Sequence, residues 1–121
     1  MNSKPLYFLS VSELSHLIQK KEISPVEVLE AHLSRIESLE PKLNSFITLL
    51  PEQAREDARE AEKEILKGKY RSPLHGIPFG LKDLYYVKGI RNTSGSKIYD
   101  HFIPQYDSTV AFKLKEAGAI L

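Results

Sequence analysis

Apolar residues recur at helical spacing through the first half of the chain, and that rhythm breaks down in the second half. Val11, Leu14, Leu17 and Ile18 predict a short amphipathic helix running to about Lys21. Ser10-Val-Ser-Glu13 ahead of it has the form of a capping box, with a hydroxyl acceptor at the cap and a carboxylate three residues on. Lys20 and Lys21 suit the negative end of that helix. Ser24-Pro-Val-Glu27 is a second capping box, with proline at the first helical position, where its missing N–H costs nothing. Val26, Leu29, Leu33 and Ile36 then line one face, and Pro41 predicts an end by Glu40. Two capped helices in succession predict an αα-hairpin whose apolar faces need a further layer to pack on.

The pattern then changes period. Asn44-Ser-Phe-Ile-Thr-Leu-Leu50 is short, aromatic and β-branched, and predicts a strand. Pro51 opens a long helix to about Lys67, closed by Gly68. Its inward stripe, Ala54, Ala58, Ala61 and Ile65, is narrow enough for close packing. Its other faces carry the opposite-sign pairs Glu52–Arg55, Glu56–Arg59, Glu60–Lys63 and Glu64–Lys67. Each such pair is worth about 0.2–0.5 kcal/mol, and the charge run reads as a solvated helix face. Further on, Ser96 to His101 predicts one helical turn, and Pro104 breaks the chain. Asp107-Ser-Thr caps a last helix, with Val110, Leu114 and Ala117 inward and Gly118 ending it. Ala119-Ile-Leu121 begins a buried strand but is shorter than a typical one, so the chain is expected to stop within a helix–strand unit rather than at a natural terminus.

Composition narrows the class. A chain of 121 residues, 41% hydrophobic and 27% charged, fits one globular domain and is neither disordered nor membranous. A net charge of +1 gives no electrostatic case for nucleic acid, and no apolar run approaches the length of a membrane span. The first nine residues are too sparsely apolar for a signal-peptide core. The absence of cysteine excludes disulfides and thiol nucleophiles, and fits a reducing, cytoplasmic setting. His16, His32, His75 and His101 lack metal-ligand spacing and read as core, surface or turn residues, so no metal and no cofactor are expected.

The candidate chemistry sits where regular periodicity is weakest. Pro73-Leu-His-Gly-Ile-Pro-Phe-Gly-Leu-Lys-Asp83 places a lysine behind an apolar run, with Gly76 and Gly80 allowing close backbone approach. Phe79-Gly-Leu81 reads as a strand with Lys82 at its end. A lysine taken out of water has a lowered pKa and becomes a usable base, whereas a lysine snorkelling from a strand end needs no function. The residues alone leave both readings open. Asp83 is free to pair with Lys82 or with nearby backbone donors, though adjacent strand side chains point to opposite faces. A phosphate loop fails on spacing, and Asp83 stands where that loop needs a hydroxyl. A second patch, Arg91-Asn-Thr-Ser-Gly-Ser96, offers hydroxyls and N–H groups on a tight turn suited to a carbonyl or an anion. Tyr85 and Tyr86 serve equally as pocket lining or as aromatic core.

These two patches and the segment Asp107-Ser-Thr-Val-Ala-Phe-Lys-Leu-Lys-Glu-Ala-Gly-Ala-Ile-Leu121 resemble the N-terminal part of the amidase signature family. The upstream helix pair, Pro41-Lys-Leu-Asn-Ser-Phe-Ile-Thr48 and the alanine-rich helix agree in order, so the resemblance spans nearly the whole chain. It implies an α/β fold, a mixed sheet with flanking helices, of which 1–42 would be a peripheral helix pair and 43–121 the start of the α/β core. It implies amide-bond hydrolysis by a Ser–cis-Ser–Lys triad, with Lys82 matching the base. Both triad serines would lie downstream, because Ser94 and Ser96 match the family's Thr-x-Gly-Ser turn instead. The 121 residues alone are therefore expected to turn over no amide, and to be marginally stable or prone to associate. The expected partner of the whole enzyme is a small-molecule amide. Leu84 after the Lys-Asp pair leans towards a general amidase. The alternatives are the A subunit of an Asp/Glu-tRNA(Asn/Gln) amidotransferase, which supplies ammonia from glutamine and has partner subunits, and a non-catalytic structural or interaction fragment.

Overall fold

A computed structural model describes residues 4–121. The described residues form four α-helices: α1 (Val11–Gln19), α2 (Pro25–Leu43), α3 (Pro51–Leu66) and α4 (Thr109–Glu116), with 3-10 turns at Leu6–Phe8 and Lys97–Tyr99. Both capping boxes form. Ser10 Oγ accepts from the Glu13 N–H and Ser24 Oγ from the Glu27 N–H, and each glutamate reaches back to its cap N–H. In α4 the cap is Ser108, which accepts from the Ala111 N–H.

The helices bury two adjoining clusters. Leu14, Ile18, Val28, Ile65 and Ile77 form one; Leu29, Ala54, Ala58 and Ile120 form the other. All four members of the alanine stripe on α3 are buried, as their spacing predicts. Arg55 on α3 clasps Glu30 on α2 through two hydrogen bonds of 2.7 and 3.2 Å, tying the two helices at their rim. Of the four charge pairs expected along α3, Glu52–Arg55 forms at 2.9 Å, while Glu64 turns away to Arg71 and His75.

Four sequence expectations need correction. Helix α2 runs three residues beyond the predicted stop at Glu40, with Pro41 inside it. Pro41 lacks the N–H that would bond the Glu37 carbonyl, so the last turn forms at the cost of one ladder bond. The end is instead set by Asn44, left-handed at φ 48°, whose N–H bonds the Glu40 carbonyl at 2.8 Å. The Glu40 carboxylate then accepts from Ser45 Oγ and the Phe46 N–H. That capture keeps residues 44–50 irregular where a strand was expected, and no strand partner lies beside them among the described residues. Phe46, Ile47 and Leu49 are left exposed. On α4 the innermost residue is Ala111 rather than Val110, which is 37% exposed.

Regular strand is likewise absent at 79–81 among the described residues, but a single parallel bridge joins Pro78 to Ile120. Ile120 donates to the Ile77 carbonyl, Phe79 to the Ile120 carbonyl, and Gly76 to the Gly118 carbonyl, all at 2.8–2.9 Å. The two segments run parallel with α4 leading into the second, as in a crossover between parallel strands. Ile120 is 1% exposed, so the segment expected to begin a buried strand reaches the core, but there it forms a single bridge and not a strand.

Candidate active site

The central stretch is anchored at its first half by two glycines that admit close neighbours. Gly76 has φ +81°, and a Cβ there would lie 2.6 Å from Pro25 Cγ. Gly118 has φ +85°, and a Cβ there would lie 2.5 Å from His75 Cδ2. Neither position accepts a side chain without strain. His75, 1% exposed, is a core residue: its Nδ1 accepts the Arg71 N–H at 3.0 Å, and its Nε2 faces Glu64 at 3.1 Å. Nδ1 as acceptor fixes the proton on Nε2, where it meets the carboxylate. Burial pushes the imidazole pKa down, and Glu64 only partly opposes it. Arg71 grips the same carboxylate with hydrogen bonds of 2.9 and 2.7 Å.

Past the bridge the chain enters a cleft of about 560 Å³, whose walls include Phe46, Thr48, Lys82, Tyr85, Asn92 and Gly95. Lys82 stands exposed at this cleft, so the lysine reaches open space rather than a dry interior. Its carbonyl accepts N–H groups from Leu84 and Tyr85 at 2.7 and 3.1 Å, closing a tight turn. Asp83, next in sequence, points elsewhere, to backbone and hydroxyl donors rather than to Lys82. Its Oδ1 accepts the Thr93 N–H at 2.8 Å and its Oδ2 accepts the Thr93 hydroxyl. Burial raises the Asp83 pKa, but the Thr93 hydroxyl and N–H, the Gly95 N–H and the Arg91 charge outweigh it and hold the carboxyl below its ordinary value.

The second patch therefore does hold an anion, and the anion is the chain's own Asp83. Ser94 and Gly95 both have positive φ, 51° and 69°, and the Ser96 N–H closes the turn onto the Thr93 carbonyl at 2.9 Å. The Gly95 N–H is taken by Thr93 Oγ1 at 3.1 Å. Three N–H groups of the patch are thus occupied internally, so the carbonyl- or anion-holding role expected for it towards a ligand loses most of its donors. Ser94 lines the cleft, whereas Ser96 is occupied in capping the 3-10 turn through the Ile98 N–H. The tyrosines divide. Tyr85 lines the cleft, and Tyr86 stacks with Phe102 and Tyr106 at 5.4 and 5.5 Å between ring centroids. Asn92, 4% exposed, ties the Tyr85 carbonyl at 3.0 Å. Sequence reasoning grouped the two patches but did not single out Asn92 and Thr93, whose polar side chains are buried to join them. The signal was only their place inside an otherwise turn-forming run.

The amidase family model matches residues 27–121 of this chain. The chain belongs to the amidase family. Among curated relatives, the A subunit of glutamyl-tRNA(Gln) amidotransferase from Geobacter metallireducens is 47% identical over 116 residues, which is 96% of this chain and 24% of that protein. Its counterpart from Carboxydothermus hydrogenoformans is 46% identical over 115 residues, 95% of this chain and 24% of that protein. The chain thus spans about a quarter of the length of these relatives. Among solved structures, the peptide amidase of Stenotrophomonas maltophilia superposes with a TM-score of 0.88 at 32% identity, over 96% of this chain and 24% of that one. Fatty acid amide hydrolase superposes with a TM-score of 0.90 at 28% identity, over 95% and 20%. This amidase-family segment shares their fold over nearly all of its length. No helix among the described residues is long and apolar enough to cross a membrane.

Proposed function

We propose that this chain is the N-terminal part of an amidase-signature domain and contributes the base of an amide-hydrolysing site, Lys82. The observation that carries this reading is the placement of Lys82 at an open cleft by a turn locked to the Thr93–Ser96 turn, within a chain that matches amidases along its length. In the complete site, Lys82 keeps a bridging serine ready to take the proton from a nucleophilic serine. That serine attacks the amide carbonyl, the amine leaves with a proton, and the acyl-enzyme passes its acyl group to water or to an amine. Both serines belong to a part of the domain outside 1–121. Residues 43–121 then begin a mixed sheet at the Pro78–Ile120 bridge, and 1–42 cover its flank.

Two substrate readings follow. Leu84 favours a general amidase acting on small amides. The curated relatives at 46–47% identity are A subunits of glutamyl-tRNA(Gln) amidotransferase, and on that second reading the amide is glutamine, partner subunits receive the ammonia and the protein works in the cytoplasm. The test is ammonia release by the full-length polypeptide containing this segment, assayed with glutamine and with a panel of aliphatic and aryl amides. Turnover confined to glutamine supports the amidotransferase reading; turnover of the panel supports the general one. Residues 1–121 alone are expected to give none. Amide turnover by that chain alone, or none by the full-length polypeptide on any amide, contradicts the proposal.

A further inference from the structure

We propose that Asp83 and Thr93 together form the positioning clamp for Lys82, acting through geometry and not by touching substrate. This rests on the reading of Lys82 as the base. Lys82 has no regular element to hold it: its neighbours are turn and irregular backbone, and the residue is exposed. What fixes its backbone is a short chain of contacts. The Lys82 carbonyl is bonded to the Leu84 and Tyr85 N–H groups, so residues 82–85 move as one turn. That turn is bolted to the 92–95 segment at two points, by Asp83 to the N–H and hydroxyl of Thr93, and by Asn92 Nδ2 to the Tyr85 carbonyl at 3.0 Å. The 92–95 segment is itself rigid, since the Asn92 N–H bonds the Phe102 carbonyl at 3.0 Å and Thr93 Oγ1 accepts the Gly95 N–H.

Burial shows that the clamp is built in. Asn92 and Thr93 are each 4% exposed, and buried polar groups persist when their hydrogen bonds are made. The Asp83 carboxylate is taken up by the Thr93 N–H and hydroxyl and not by Lys82, which stays exposed at the cleft. A catalytic base works only within about 2.6–3.2 Å of its partner, and misplacement by about 1 Å costs about 10²-fold. A clamp one residue from the base acts at that scale.

The test uses the full-length polypeptide, with kcat expressed per folded molecule from the amplitude of its thermal unfolding. Thr93→Val removes the hydroxyl that bonds Asp83 and is expected to lower kcat up to about 10²-fold with KM little changed. Thr93→Ser keeps the hydroxyl and the N–H that bond Asp83 and is expected to stay near wild type. Asp83→Ala combined with Thr93→Val is expected to be no worse than Asp83→Ala alone, because both break one link. Should Thr93→Val fail to fold, Thr93→Ala makes the same deletion without an added methyl. Wild-type kcat per folded molecule in both Asp83→Ala and the Thr93 variant, with only the melting temperature lowered, overturns the proposal and leaves the base reading standing. Full activity in Lys82→Ala overturns the base reading, and the clamp falls with it.

Discussion

Residues 10–68 and residues 73–106 are stabilised in opposite ways. The first region is three helices with local stops and starts: each capping box closes within four residues, and apolar stripes at helical spacing fill the core. The second is nearly all turn and loop, held by bonds between residues far apart in sequence. Lys88 donates to Asp107, Gly89 to the Pro104 carbonyl, Asn92 to the Phe102 carbonyl and Ser108 to the Tyr86 carbonyl. The helices have no evident chemistry, and the loop region holds the lysine and the cleft. A frame of helices needs only burial, whereas a site needs side chains aimed independently of any helical or strand period. The difference also predicts how each region fails. Helical caps contribute in small separable amounts, and the loop region fails at single close contacts.

The largest stability effect is expected at such a contact. Gly76→Ala pushes a methyl into Pro25 at a left-handed backbone position, and both terms together predict a loss of about 2–5 kcal/mol by urea unfolding. Gly68→Ala, at φ +84° with nothing within 4 Å, meets the backbone term alone and loses about 1–2 kcal/mol. Equal losses at the two glycines would erase the contrast between the regions. Next comes Ser24→Ala, which strips the cap of α2 and is expected to cost about 1 kcal/mol in the same measurement. The mildest change is with pH. His75 has a depressed folded pKa, so the unfolded chain takes up a proton first as pH falls below the ordinary histidine value of 6.5. Stability from this group is complete above 6.5 and declines as pH drops towards the folded value. His75→Gln is expected to flatten the decline over roughly pH 7 to 5 in unfolding midpoints, and a curve unchanged by it would remove His75 as the cause.

What was legible in the sequence follows the same division. Ser10, Glu13, Ser24 and Glu27 announce their helices because a capping box is read within four positions. The alanine stripe on α3 was legible because burial at i, i+4 and i+7 needs no knowledge of the partner. The end of α2 was not, since Pro41 argues for an earlier stop and the capture of Ser45 and Phe46 by Glu40 is a tertiary detail. Residues 44–50 carry a strand composition with no strand beside them in 4–121, and composition cannot supply a neighbour. At the site, Lys82 was singled out by its motif and by family resemblance. The pairing of Asp83 with Thr93 across ten residues of loop was not legible, because either patch taken alone has several equivalent partners.

One measurement bears most directly on the claim that the loop region carries the base of an amide-hydrolysing site. It is kcat/KM of the full-length polypeptide, wild type against Lys82→Ala, on whichever amide it turns over fastest. Loss of the base predicts a fall of about 10²–10⁴-fold or more, with the helical region's unfolding midpoint unchanged. A Lys82→Ala protein that folds and keeps wild-type kcat/KM would contradict it.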